Sequence, residues 1–232
     1  MNDLWKARVI KLWRDWIKPI AVVVIVLGTF RSAVADWNDV PTGSMKPTIL
    51  EGDRILVNKL AYGLRLPFTD TWLVQWDGPQ RGDVIVCFSP DTNERLVKRC
   101  VALPGDTVWL SNNVLLINGA RADYEELDED VINQIEESQR GTHRFAAESL
   151  LGETHPVMVT PGIVAKRNFG PVVVPEGHYF VMGDNRDRSR DSRFFGFVPR
   201  DKIVGRTGAI ALSLNPDHHY LPRWERFLRS LP

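Results

Sequence analysis

The pattern of hydrophobic and polar residues separates an apolar front end from a longer part that alternates as β-strands do. Residues 4–18 fit an amphipathic helix, because at 100° per residue three tryptophans share one face and basic residues the other. Residues 19–30 carry no charge, which is short for a bilayer span. If Lys18 and Arg31 extend their charged ends toward the headgroups, the span lengthens to about residues 17–37.

A cleavable signal peptide is the competing interpretation of this front end. Ala33-Val34-Ala35 supplies small residues after a basic and an apolar region, and cleavage there would start the mature chain near Asp36. Under both interpretations residues 36–232 lie on the far side of the membrane from the N-terminus, because five lysines and arginines before Pro19 keep the N-terminus inside the cell. We favour an uncleaved anchor over residues 1–36, since a tryptophan-rich helix has little purpose in a discarded peptide.

Beyond this anchor the pattern predicts a mainly β protein. Short apolar runs follow turn signals such as Gly52-Asp53 and Arg81-Gly82. The dipeptides Asn112-Asn113 and Asn118-Gly119 indicate hairpin turns. The predicted strands are residues 54–58, 83–88, 94–102, 172–182 and 203–214, while residues 108–117 are predicted to form hairpins.

The remaining segments are predicted to surround one β domain made of residues 37–111 and 173–216. Residues 112–172 are acidic and irregular, and we interpret them as a small inserted subdomain with a solvated charged face. Residues 217–232 combine aromatic and basic positions, so this tail is expected to be amphipathic and to lie on the membrane. For the apolar residues 64–76, ordinary hairpin packing and a lip that dips into the bilayer both remain open.

Composition narrows the possible functions. The 232 residues carry no formal net charge, so no domain-wide basic patch for nucleic acid is predicted. The two cysteines, Cys87 and Cys100, lack the spacing of metal ligands, and either one disulfide or two buried thiols is possible. His143 and His155 have no pattern of a ligand site either, so we predict no metal and no cofactor.

One stiff turn, residues 41–48 (PTGSMKPT), contains a candidate nucleophile. Its prolines restrict φ and Gly43 permits close approach of another backbone, so the hydroxyl of Ser44 is expected on a rigid loop. A serine hydroxyl needs a base, yet position 46 is lysine and the turn is not a G-x-S-x-G elbow. His178 is the only histidine near a motif, and the sequence places no aspartate to orient it.

A lysine can act as the base if it is uncharged. In the strand 94–102, Lys98 shares a face with Cys100 while Arg99 points to the other face, so one of the two cations must face the interior or a cleft. Taken alone, a solvated Lys98 with a paired Arg99 is the expected arrangement, because lysine is rarely fully buried. Burial can nevertheless lower a lysine pKa of about 10.4 by roughly 3–5 units, which brings it near working pH.

The order of these motifs resembles the sequence boxes of bacterial type I signal peptidases. The four matching stretches are residues 41–48, Gly52-Asp53 with Val57-Asn58-Lys59, Lys98-Arg99 with Pro104-Gly105-Asp106, and residues 183–193 (GDNRDRSRDSR).

This resemblance implies a signal-peptidase-like β core with a small insert, preceded by a membrane helix. It implies a serine endopeptidase that removes N-terminal signal peptides from secreted preproteins after small-x-small motifs. The enzyme would sit in the cytoplasmic membrane with a single span and its catalytic domain on the outer side. Its partners would be preprotein signal peptides and the lipid surface, without nucleic acid or metal.

The resemblance also implies roles for individual residues. Ser44 falls on the nucleophile and Lys98 on the general base. Thr42 falls on an oxyanion-hole hydroxyl, and Ser189 falls on a hydroxyl that orients the lysine. The residues expected to support the site structurally are Met45, which would pack over the lysine, Asp184, and the ion pair of Asp191 with Arg193.

Two alternatives come from other classes of protein. A self-cleaving repressor with a serine–lysine pair would share the core fold, but it would need a DNA-binding front end in place of residues 5–30. A secreted β binding module without activity would need no pairing of Ser44 with Lys98.

Overall fold

A single long helix forms the front end in the computed structural model, which describes residues 2–69 and 71–232. It consists of α1 (Asn2–Leu12), a π-helical turn (Trp13–Ile17) and α2 (Lys18–Ala33). Pro19, which lacks an N–H, lies just after the π-helical turn, where the regular α-helical hydrogen-bond pattern is already interrupted. The stretch Arg8–Ala33, which contains an 18-residue window with a mean hydropathy of 1.5, is long and apolar enough to cross a membrane.

The predicted span to residue 37 is wrong at its end, because the helix stops at Ala33 and strand β1 (Ala35–Asp39) follows at once. Hydrogen bonding explains this early end. Lys59 donates its backbone N–H to Val34, and its Nζ to the carbonyl oxygen of Arg31 at 2.9 Å. The chain therefore joins the sheet directly after the helix.

The body of the protein is mainly β, as the sequence predicts, with three helices of a single turn: α3 (Glu129–Ile132), α4 (Glu137–Arg140) and α5 (Ser192–Phe195). The strands after β1 are β2 (Asp53–Asn58), β3 (Gly63–Arg65), β4 (Trp72–Gln75), β5 (Val84–Phe88), β6 (Arg95–Ala102), β7 (Thr107–Ser111), β8 (Val114–Ile117), β9 (Ala120–Arg121), β10 (Asp123–Glu125), β11 (Arg144–Leu150), β12 (Glu153–Val159), β13 (Phe169–Val173), β14 (His178–Met182), β15 (Val198–Pro199), β16 (Ile203–Asn215) and β17 (Leu221–Pro222).

One large sheet has the strand order β1-β2-β16-β5-β6-β14-β15, with β17 pairing to β16. The long strand β16 pairs with β2 along one part and with β5 along another, and irregularities in its register bend the sheet there. A four-stranded sheet, β13-β7-β8-β9, and a three-stranded sheet, β10-β11-β12, complete the larger part of the β structure.

Several predicted elements are confirmed. β5 and β6 form the expected antiparallel pair, and the strands over 54–58 and 203–214 are present as β2 and β16. Asn112 and Asn113 both adopt positive φ in the turn between β7 and β8, as the sequence of that hairpin requires.

The predicted boundary of the insert at residues 111 and 112 falls inside the β7–β8 hairpin. Because β13 pairs with β7, the four-stranded sheet contains strands from both sides of that boundary. The division into a β domain over 37–111 and 173–216 and an insert over 112–172 stays a prediction.

The tail after β16 packs partly against the protein, while Leu221, Trp224 and Leu228 stay exposed, so its contact with the membrane stays a prediction. It folds back on the large sheet, where Ser230 forms a bridge to Ala209. Arg226, expected on the polar face, is 1% exposed and paired with Asp53. The carbonyl oxygen of Pro232 accepts a hydrogen bond of 2.9 Å from Arg99. A buried arginine needs a carboxylate partner, and Asp53 supplies one from the turn after the serine loop.

Replacing Arg226 by alanine leaves the carboxylate of Asp53 buried without its main partner, so we expect the free energy of unfolding to fall by about 3 kcal/mol. Urea unfolding of the full chain in detergent micelles, followed by tryptophan fluorescence, measures this change. Arg54→Ala is the matched control, because Arg54 pairs with Asp39 on the exposed surface and its loss is expected to cost less than about 1 kcal/mol. Equal losses in the two variants would contradict the prediction.

Candidate active site

The candidate nucleophile lies on a short 3₁₀ turn (Gly43–Met45) between β1 and β2. The turn is anchored to the hydrophobic core, because Met45 and Ile49 are fully buried in the core cluster under the large sheet. The N–H of Ile49 also donates a hydrogen bond to the carbonyl oxygen of Met45. Packing on one side leaves Ser44 partly exposed on the other. The rigid serine loop expected from the sequence is therefore present.

Lys98 meets this serine from the middle of β6. Its Nζ lies 2.7 Å from Ser44 Oγ and donates a second hydrogen bond of 2.9 Å to the carbonyl oxygen of Val97. The lysine is only 2% exposed, so the solvated arrangement that is usual for lysine is not adopted. The structure brings together two residues that are 54 positions apart in sequence.

Burial is the largest influence on Lys98 and lowers the pKa of its amine from the ordinary 10.5. The negative charges of Asp191 and Asp184 raise this pKa again, but they only partly offset the loss of hydration. Both carboxylates are engaged by other groups, which limits their effect: Asp191 pairs with Arg193 and Asp184 with Arg99.

The loop of residues 183–193 passes over the serine turn and is tied to it. Asn185 donates its backbone N–H to the carbonyl oxygen of Ser44 at 3.1 Å and its side-chain amide to that of Gly43 at 3.0 Å. Asp191 accepts from the N–H of Gly183 at 3.0 Å and is itself held by Arg193 at 2.8 Å. The ion pair predicted beside the site thus fixes the loop that rests on the nucleophile.

Thr42 and Ser189 both lie near Ser44. Thr42 precedes the 3₁₀ turn and lines the same cavity as Ser44 and Lys98. Ser189 is buried, and its hydroxyl has no hydrogen-bond partner among the residues that the structure describes. The hydrogen bond to Lys98 that its predicted role requires is therefore not formed in this state.

Both adjacent cations of β6 are buried, which the alternation of faces alone does not predict. Arg99 is 1% exposed and forms two hydrogen bonds to Asp184, at 2.9 and 2.8 Å. Asp184 also accepts from the hydroxyl of Thr48, which lies on the serine loop. Arg99 thereby connects the lysine strand, the serine loop and the loop of residues 183–193.

Sequence reasoning did not identify Asn185 or Glu148 as parts of the site. Glu148, on β11 of the predicted insert, forms a buried pair with Arg186 at 2.6 Å. A fully buried carboxylate inside an acidic region has no distinct sequence signal, whereas Asn185 sits within the 183–193 motif, which could have pointed to it.

Other candidates lie outside the site. The ring of His178 contacts the carbonyl oxygen of Glu176. Cys87 and Cys100 are free buried thiols and not a disulfide, and burial raises the pKa of Cys87 to about 12. Among the described residues no group of histidines, cysteines and carboxylates is arranged to hold a metal.

A cavity of about 560 Å³ opens beside the serine–lysine pair. One wall is β1, which ends the large sheet, and the other is the first half of β6, where residues 95–98 pair with β5 alone within the described chain. Two strand edges therefore face the cavity, and Met45 and Val97 give its floor an apolar character.

The geometry, a serine hydroxyl against a buried lysine amine on a curved β sheet, is that of a hydrolase with a lysine base. A family model described as signal peptidase, peptidase S26, matches residues 13–212. The chain is 38% identical to signal peptidase I of Pseudomonas fluorescens and to that of Pseudomonas aeruginosa, each over 90% of this chain and 75% of the relative. A solved signal peptidase I from Enterococcus faecalis shares 34% identity, with a TM-score of 0.34, over 56% of this chain and 97% of that one.

The chain therefore belongs to the signal peptidase family, peptidase S26. It is a serine endopeptidase of the signal peptidase I type, as the sequence motifs predicted. The alternatives of a self-cleaving repressor and of an inactive binding module are set aside by this membership. The family is associated with membranes, in agreement with the apolar helix at the front of the chain.

Substituting Gly183 by alanine tests whether the 183–193 loop positions the nucleophile. An added Cβ would lie 2.3 Å from Ser189 Oγ and 2.4 Å from the carbonyl oxygen of Ser44, so the loop must move away. We expect a loss of peptidase activity of about 10²-fold, because small displacements of reacting groups are costly. Gly162→Ala, where a Cβ meets open space, is expected to retain full activity; comparable activity in both variants would refute this positioning.

Proposed function

We propose that Ser44 is the nucleophile and Lys98 the general base of this signal peptidase. The observation that carries the proposal is the 2.7 Å contact between Lys98 Nζ and Ser44 Oγ at a lysine that is 2% exposed. Burial favours the uncharged amine, and only an uncharged amine has a lone pair that can take the serine proton.

The reaction follows from this pair. Lys98 takes the hydroxyl proton as Ser44 Oγ attacks the scissile carbonyl carbon, and the resulting ammonium then protonates the leaving amine, so the peptide bond breaks and an ester to Ser44 remains. In the second half Lys98 deprotonates a water molecule that attacks the ester. The acid product leaves, and Ser44 recovers its proton from Lys98.

The oxyanion formed in both steps needs donors. We assign them to the N–H of Ser44 and the hydroxyl of Thr42. As the second residue of a one-turn helix, Ser44 has an N–H without an acceptor in that helix. Thr42 uses no side-chain hydrogen bond to cap the turn and lines the cavity that Ser44 faces, which leaves its hydroxyl available. Such a donor contributes about 2.7–4 kcal/mol to transition-state stability in comparable sites.

Ser189 is proposed to orient Lys98 during the reaction. Burying the Ser189 hydroxyl without a hydrogen-bond partner costs free energy of folding. This cost favours a hydrogen bond between Ser189 and Lys98 when the lysine moves or becomes charged. Apo structures often show catalytic hydrogen bonds that tighten only once substrate is bound.

The substrates are proposed to be secreted preproteins that carry small residues at the first and third positions before the cut. The two free strand edges along the 560 Å³ cavity support binding of an extended peptide, whose backbone would add to the sheet. Alternate side chains of such a strand point to the same face, so the first and third residues would meet the apolar floor together.

We further propose a single-pass anchor in the cytoplasmic membrane, with residues 36–232 on the outer side. The apolar helix Arg8–Ala33 and the basic residues near its start support this topology. The hairpin β3–β4 lies beside the helix, since Gly28 approaches the ring of Phe68. Its exposed Leu66, Phe68 and Trp76 favour the interpretation that this hairpin contacts lipid at the bilayer surface.

Removing either member of the pair should eliminate processing. Ser44→Ala lacks the nucleophile and Lys98→Ala lacks the base, so we expect losses of at least about 10³-fold, measured by cleavage of a purified preprotein in detergent micelles. His178→Ala is the control and should cleave at the rate of the unmodified protein, because its ring lies away from the serine. Full activity of Lys98→Ala would rule out the mechanism.

The pH dependence of kcat/KM should report the lysine. Lys98 must lose its proton to act, so the rate is expected to rise with pH through one ionisation that lies below the ordinary lysine value of 10.5. The profile of a fluorogenic peptide containing Ala-x-Ala provides the measurement. A rate that falls as pH rises through this ionisation, or an inflection that disappears in His178→Ala, would contradict a lysine base.

A further inference from the structure

A second cavity, of about 360 Å³, opens on the other side of the nucleophile. The two cavities share Thr42 and Ser44, but Lys98 and the strand edges belong only to the first. The second is walled by the 183–193 loop and by residues 139–143, which follow from helix α4 of the predicted insert.

The proposed function assigns the first cavity to residues that precede the cut. A substrate chain that passes Ser44 must then continue into the second cavity with the residues that follow the cut. This step rests on the proposed function, because it takes the direction of the substrate from it.

The charges along the second cavity are not balanced. Lys46 is neutralised by Glu51 at 2.6 Å and is also bonded to Gln139 at 3.0 Å. Arg188 lines the same cavity, is exposed, and forms no ion pair or side-chain hydrogen bond with any residue in 2–69 and 71–232. One positive charge therefore remains in the path of the departing chain.

The neighbouring arginines of the same loop show that this is a specific property of position 188. Arg186 is buried against Glu148, and Arg190 pairs on the surface with Asp91. Arg188 lies between these two in the sequence and lines the cavity. Its guanidinium forms no ion pair with a carboxylate among the described residues. A guanidinium presents several N–H donors in a planar fork that suits a carboxylate.

We propose that Arg188 is a specificity-determining residue that binds an acidic side chain, aspartate or glutamate, among the first three residues after the cleavage site. The partial exposure of the cavity keeps the interaction modest, so it selects among substrates and is not required for cleavage. Substrates with lysine at the same positions are disfavoured by repulsion from the same group.

The test compares fluorogenic peptides that share an Ala-x-Ala sequence before the cut and carry glutamate, glutamine or lysine at one of the first three positions after it. For the unmodified full chain in detergent micelles we expect kcat/KM for glutamate to exceed that for lysine about three- to tenfold at one of these positions. The ratio should shrink as salt is added, because exposed charges are screened.

Variants of the arginine separate a local contact from the general charge of the loop. Arg188→Gln should bring the glutamate-to-lysine ratio close to one, and Arg188→Glu should invert it. Arg190→Gln is the matched control: it removes the same charge two residues away, outside the cavity, and should keep the unmodified ratio. Using a ratio cancels any general change in activity.

An unchanged ratio in both Arg188 variants, or an equal change in Arg190→Gln, would overturn the inference while leaving the proposed function intact. Failure of the unmodified protein to cleave the glutamine peptides at all would instead overturn the proposed function, and the inference with it.

Discussion

The structure depends on shielding the amine of Lys98 from water while it stays within hydrogen-bond distance of the Ser44 hydroxyl. Lys98 has to lie within a hydrogen bond of Ser44 and out of reach of a carboxylate that would hold its proton. Two acidic residues nevertheless stand close enough to influence it, and each is occupied by its own arginine. The buried ion pairs around the site therefore favour the neutral lysine that the proposed mechanism requires, since each carboxylate near it is paired with an arginine.

The same arginines hold together segments that are distant in sequence. Arg99 joins the lysine strand to Asp184, Asp184 joins Thr48 on the serine loop, and Arg193 holds Asp191 under Gly183. Breaking any one of these pairs would leave a charge in the interior, which is strongly unfavourable. The position of Ser44 is consequently fixed by these ion pairs and hydrogen bonds as well as by the packing of Met45.

The sequence allowed the mainly β fold, the β5–β6 pair and the asparagine turns to be predicted, because local signals specify each of them. Ser44 and Lys98 could be proposed because histidine bases failed on inspection and the motif order matched a family. The burial of Lys98 and Arg99 together, the return of the tail and the buried pair of Glu148 with Arg186 could not be predicted. Each depends on a partner far away in sequence, and alternation of faces or charge density says nothing about that partner.

The contact of Pro232 with Arg99 has a consequence for the order of assembly. A ribosome delivers residues 226–232 long after β6, and until then Arg226 and Arg99 lack part of their surroundings. The lysine strand of a nascent chain therefore lacks these contacts until the last segments dock on the large sheet. The buried guanidinium of Arg99 thus reaches its full set of hydrogen-bond acceptors only when these last residues have docked on the folded β body.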